Sequence, residues 1–157
     1  MVCPADIVLV VDMPIYTPRS TTRFLTMQLF LTQLVSRLDV DSGKTRVGLV
    51  TFAAKVGDVF NLTDHSSIEK LQSAIWSLGH TGGSTTNTAA ALDYVRTRML
   101  TEAAGDRDNV HNIVVVVTDG RSNNFNATVV SRPIEFIVPF IYSTAVHLPG
   151  FHDLTLC

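Results

Sequence analysis

The chain has 157 residues, 46% of them hydrophobic and 17% charged, a balance that supplies one globular domain with a real core and is too apolar for a disordered chain. Its formal net charge of −2 comes from scattered acids and bases with no basic stripe, which gives no electrostatic reason to expect nucleic acid or an anionic membrane as partner. The apolar stretch from Phe136 to Leu148 contains Pro139 and falls short of the roughly 20 residues that a spanning helix needs, so membrane insertion is not expected.

The first element is Asp6-Ile7-Val8-Leu9-Val10-Val11, which runs into Asp12. A near-continuous Val/Ile/Leu run of this kind reads as a parallel strand covered on both faces, because a half-exposed strand would alternate with polar residues. A polar, proline-bearing loop from Met13 to Arg19 follows, and then a helix from about Ser20 to Leu38. Phe24, Met27, Leu31, Leu34, Val35 and Leu38 recur there at spacings of three and four, which lines them on one face. Gly43 marks a turn in the exit from Asp39 to Lys44. Arg46 to Phe52 and Lys55 to Leu62 are two strands joined by so short a link that they form an antiparallel hairpin, placed at a sheet edge.

Ser66 with Glu69 three residues on reads as a capping box opening a helix, whose buried face is Ile68, Leu71, Ile75 and Leu78. Trp76 falls off that stripe and is expected to pack against a neighbouring loop, with a role as a partner anchor as the alternative. Residues 79–88 form a glycine- and hydroxyl-rich loop that feeds the next helix, with Leu92, Val95 and Met99 on its inner side. The loop lacks the Gly-Lys-Ser/Thr ending of a nucleotide-binding loop. Ile113 to Thr118 is a further buried strand, and it delivers Asp119-Gly120.

Asp12 and Asp119 thus both stand at strand ends. In an open α/β sheet ligands bind outside the carboxyl ends of the strands, and two acids delivered there are candidates for holding a hard cation through oxygen. The plain alternative for either Asp is a cap on the turn that follows it. No catalytic constellation accompanies them. His65, His80, His111, His147 and His152 are placed by no motif, there is no nucleophile elbow, and Pro14 stands where phosphoryl transfer through Asp12 would want a second acid. No enzymatic activity is expected.

Cys3 and Cys157, at the two ends of the chain, would tie the termini together if paired, as suits an oxidising compartment, or are two unrelated thiols. Asn61-Leu62-Thr63 and Asn126-Ala127-Thr128 are glycosylation acceptor triplets. Met1-Val2-Cys3-Pro4-Ala5 lacks the charged start and apolar stretch of a secretory leader. If the protein is extracellular, the chain is therefore read as a fragment or an incomplete gene model.

Four ordered blocks carry a resemblance: Ala5 to Asp12, Lys44 to Phe52, Gly82 to Leu92, and Val115 to Ser122. Together they resemble the von Willebrand factor type A (VWA) domain, the module shared with integrin inserted domains, matrilins and matrix collagens. The resemblance implies an α/β, Rossmann-like fold with an open, mainly parallel sheet, one antiparallel edge hairpin strand and helices on both faces. It covers a domain at 3–126, followed by an atypical tail at 127–157. In the tail, Pro133 and Pro139 stand where the family continues with a helix, so the C-terminal elements read as incomplete and the chain as marginally stable or self-associating through Phe136 to Leu148.

The family's metal-ion-dependent adhesion site uses Asp-x-Ser-x-Ser after the first strand, a Thr in the glycine-rich loop and an Asp after the fourth strand. Residue by residue this gives Asp12, Thr86 and Asp119. The two serine positions hold Pro14 and Tyr16, so the site is degenerate, and Mg²⁺ is expected to bind weakly or not at all because it demands near-ideal octahedral oxygen geometry. Water, or Thr17 from one residue beyond, could fill the vacancies. The resemblance implies a secreted, non-enzymatic adhesion or matrix-assembly module that binds an extracellular matrix or cell-surface protein through the loops bearing Pro14, Tyr16, Thr17, Ser84, Thr85 and Arg121. An intracellular, metal-independent VWA-type scaffold module is the alternative.

Overall fold

A computed structural model describes residues 3–13, 20–79, 85–118 and 135–137. The elements follow in the order β1 (Ala5–Asp12), α1 (Ser20–Val35), β2 (Thr45–Phe52), β3 (Val56–Phe60), α2 (Ile68–Trp76), α3 (Thr88–Tyr94), β4 (His111–Val117) and β5 (Glu135–Ile137). They form one sheet of strand order β3-β2-β1-β4-β5. The first strand to be made is therefore the central one. It pairs in parallel with β2 from Ala5↔Thr45 to Asp12↔Phe52 and with β4 from Ala5↔His111 to Val11↔Val117. β3 returns antiparallel to β2 and occupies an edge, as the short link required. β5 adds a parallel strand beside β4, with Val114 opposite Phe136. It lies beyond the boundary expected at residue 126.

Every residue of β1 is buried, which is why its sequence shows no polar alternation. The period of two is instead visible in where the side chains go. Ile7, Leu9 and Val11 join Val47, Leu49, Ile113, Val115 and Val117 in one apolar cluster, together with Met27, Leu31, Leu34 and Val35 of α1 and Leu71 and Ile75 of α2. Val8 and Val10 join Val50, Phe52, Val114 and Val116 in a second cluster, with Ala91 and Leu92 of α3 and with Val95 and Met99 of the π-helical turn that continues it. Burial of each such side chain stabilises by about 1.5–3 kcal/mol.

Two local expectations are corrected. The apolar spacing carries α1 to Leu38, yet the α-helix ends at Val35. Arg37 and Leu38 donate to the carbonyls of Leu34 and Val35, three residues back, so the last turn tightens and Leu38 keeps its contact with the core through a turn. The cap of α2 is Ser67 and not Ser66: its hydroxyl accepts from the Lys70 backbone N–H while its backbone is extended. Asp41 Oδ1 takes the Ile68 N–H at 2.9 Å, so a tertiary partner satisfies a further backbone donor of the helix's first turn. Trp76 stays 45% exposed.

Candidate functional site

Asp12 closes β1 and is 8% exposed. An ionised carboxylate accepts hydrogen bonds only, and the Thr118 hydroxyl, just past β4, donates to Asp12 Oδ2 at 2.8 Å. The parallel register that sets Val11 beside Val117 makes this contact a consequence of the sheet, since the next residues of both strands emerge side by side. The backbone N–H of Met13 donates to the Phe52 carbonyl at 2.7 Å, extending the β1–β2 ladder one step beyond Asp12 and fixing where the following loop departs.

The glycine-rich loop is anchored at both of its described ends to the β2–β3 hairpin. Gly79 N–H donates to Asp58 Oδ2 at 3.1 Å, and Asn87 N–H donates to the carbonyl of Ala53 at 2.9 Å. Ala53 follows Phe52, the register partner of Asp12. The segment carrying Thr86 is thereby held at the same end of the sheet as Asp12. Asn87 then caps α3, its side chain accepting from the Ala90 N–H at 3.2 Å. Thr86 is half-buried and Thr85 exposed.

The opposite end of β1 carries a third aspartate with a different fate. Asp6 is fully buried, and Arg107 meets it with Nη2 at 2.6 Å and Nε at 2.9 Å from Oδ1, while the Arg107 backbone N–H donates to Oδ2 at 2.9 Å. The same guanidinium donates to the carbonyls of Ala5, Gly43 and Lys44. Asp6 is saturated by one cation, a structural clamp far from the strand ends that carry Asp12.

Of the residues singled out from the sequence, Asp12, Thr85 and Thr86 lie at one end of the sheet, and Asn61 lies past the end of β3. Cys3 is disulfide-bonded. Pro14, Tyr16, Thr17, Ser84, Asp119, Arg121, Asn126 and Cys157 lie outside the described residues. Thr118 was not singled out, although its place directly before Asp119 in the sequence was the available signal. Among the described residues, no three His, Cys, Asp or Glu side chains gather as metal ligands.

A family model for the von Willebrand factor type A domain matches residues 6–137. The chain belongs to that family. Its VWA domain is 38% identical to the collagen alpha-4(VI) chain of Mus musculus over 77% of this chain and 5% of that one. It is 35% identical to integrin alpha-1 of Gallus gallus over 76% of this chain and 40% of that one, and 38% identical to matrilin-1 of Bos taurus over 75% and 22%. The chain thus spans well under half the length of these relatives. Among solved structures, proximal thread matrix protein 1 from the mussel byssus superposes with a TM-score of 0.71 at 25% identity, over 77% of this chain and 32% of that one. Another structure of that mussel protein has zinc in its metal-ion-dependent adhesion motif.

Two side-chain oxygen donors are placed at this end of the sheet. Asp12 supplies a carboxylate already engaged by Thr118, and Thr86 a hydroxyl in the anchored loop. In the sequence Asp12 is followed by Pro14, which has no side-chain oxygen, and Tyr16, whose neutral phenol is a poor ligand for an ion that demands octahedral oxygen at close range.

Proposed function

We propose that this VWA domain is a non-enzymatic extracellular adhesion or matrix-assembly module, and that it binds a protein ligand through the loops at the carboxyl ends of β1 and β4 and the loop before α3. The carrying observation is the arrangement at Asp12: a buried strand-end carboxylate bonded to Thr118, beside a Thr86 segment tied to the neighbouring strand's exit. Its relatives in collagen, matrilin and integrin support the adhesion class and the extracellular setting. VWA modules of such proteins are generally non-enzymatic.

Asp119 completes the proposed face with Asp12 and Thr86, and the adhesion motif is degenerate. A ligand's acidic side chain would then find too little metal to anchor on, so the contact runs mainly through protein groups, with Pro14, Tyr16, Thr17, Ser84, Thr85 and Arg121 as the surface. Two measurements test this. Calorimetric titration with Mg²⁺ and Mn²⁺ is expected to give no binding tighter than millimolar, and micromolar binding abolished by Asp119→Ala would overturn the degenerate reading. Solid-phase binding to a panel of matrix proteins is expected to persist in chelator and to fall on Tyr16→Ala with Arg121→Ala. Binding that survives both loop substitutions would remove this face from the proposal.

A further inference from the structure

The triplet Asn61-Leu62-Thr63 directly follows β3, the sheet's edge strand. Its backbone is held firmly. Leu62 is 1% exposed, and its N–H donates to the Ala104 carbonyl at 3.0 Å. Asn61 N–H donates to Asp64 Oδ2 at 2.7 Å, and Asp64 N–H closes the turn onto the Asn61 carbonyl at 3.2 Å. Phe60 and His65 meet edge to face, ring centroids 5.0 Å apart, bracketing the turn. Burial alternates across the triplet: Leu62 faces in, Asn61 is partly exposed and Thr63 exposed. The hydrogen bonds that close this turn use backbone groups and the Asp64 carboxylate, and neither the Asn61 side-chain amide nor the Thr63 hydroxyl takes part in them.

We infer that Asn61 is an N-glycosylation site whose glycan shields the open edge of β3. The inference rests on the extracellular reading above. The reaction is transfer from a lipid diphosphate-linked oligosaccharide: Asn61 Nδ2 loses a proton and bonds to the anomeric carbon, whose bond to the diphosphate oxygen breaks, releasing the lipid diphosphate. A glycan is bulky and solubilising, and it can be carried in the folded state only by an amide that points to water and holds up no structure. Asn61 is partly exposed, and its amide is not among the groups that hold this turn. Beyond β3 the described sheet offers no further strand, and an unpaired strand edge is a template for pairing with another chain.

The register also keeps the glycan away from the proposed ligand face. Val56 lies at the level of Phe52 and hence of Asp12, whereas Phe60 lies opposite Leu49 at the level of Leu9, about 10 Å down the strand at roughly 3.3 Å per residue. Asn61 is one residue farther on.

The test expresses the chain behind an appended secretory leader in mammalian cells, with Asn126→Gln to remove the other acceptor. Peptide N-glycosidase is expected to shift the gel mobility of this protein by one glycan. The shift is expected to vanish on Asn61→Gln or Thr63→Val and to persist on Thr63→Ser, which keeps the hydroxyl. Leader cleavage, read by mass spectrometry, reports translocation separately. A translocated chain with no glycan at Asn61 overturns the inference, while failure to be exported bears on the extracellular reading alone. Native deglycosylation is expected to move the protein toward dimers on size exclusion, and unchanged elution would overturn the shielding role.

Discussion

Arg107 closes a fork on Asp6, with Nη2 2.6 Å and Nε 2.9 Å from the same carboxylate oxygen. Asp6 has no exposed surface, whereas the Arg107 side chain retains 22%, so losing the guanidinium leaves a desolvated carboxylate with the Arg107 backbone N–H as its remaining donor among the bonds described above. Arg107→Ala should therefore destabilise the fold by about 3–5 kcal/mol, as expected when one partner of a buried pair is removed. The joint change Asp6→Asn with Arg107→Met should recover a large part of that. Urea unfolding measures both, and an Arg107→Ala midpoint indistinguishable from the parent would show that the clamp carries no weight.

At the other end of β1, Thr118→Val removes the hydroxyl that donates to Asp12 Oδ2 while keeping the side chain's shape. A hydrogen bond to a charged group is worth about 1.5–3 kcal/mol, and a loss in that range is expected in thermal or urea unfolding. Thr118→Ser should restore most of it. If serine were no better than valine, the hydroxyl would not be the relevant group.

Two glycines with positive φ separate conformational strain from steric clash. Gly43 has φ +76° and open space where a Cβ would stand, whereas at Gly105, φ +94°, a Cβ would come 2.5 Å from Thr63 Cγ2. Gly43→Ala should cost about 1–2 kcal/mol, the left-handed penalty alone, and Gly105→Ala clearly more. Thr63→Ser deletes the clashing methyl and should narrow the gap. A double-mutant cycle with no coupling would refute this account.

On the proposed reading of a degenerate adhesion motif, Pro14→Ser with Tyr16→Ser restores the two hydroxyls that it lacks. Mg²⁺ affinity should rise measurably over the parent chain, given that the loop backbone is released from the angle proline imposes. Unchanged calorimetric traces would place the defect elsewhere than in those two side chains.

The sheet was legible in the sequence because its strands are buried on both sides. The runs Ile7 to Val11 and Ile113 to Val117 show this directly, and the hairpin followed from the shortness of the link between β2 and β3. What escaped were interactions between residues distant in sequence. The first turn of α2, capped by Ser67, also takes a bond from Ile68 N–H to Asp41, 27 residues earlier. The Thr118–Asp12 bond spans 106 residues, and only the parallel register makes it evident. Leu38 kept its apolar period after the helix had tightened, since periodicity reports which side chains face the core and not which carbonyl each N–H reaches. Trp76 lies off the buried stripe and is 45% exposed, a degree of exposure that no pattern in the sequence fixes.

The central place of β1 also determines how the domain meets tension. A pull directed along β1 enters a strand laddered in parallel to β2 on one side and β4 on the other. Such a load falls on both ladders in shear, so their bonds must yield together instead of opening one at a time from an end. Resistance to force is then governed by the unfolding rate and not by the equilibrium stability.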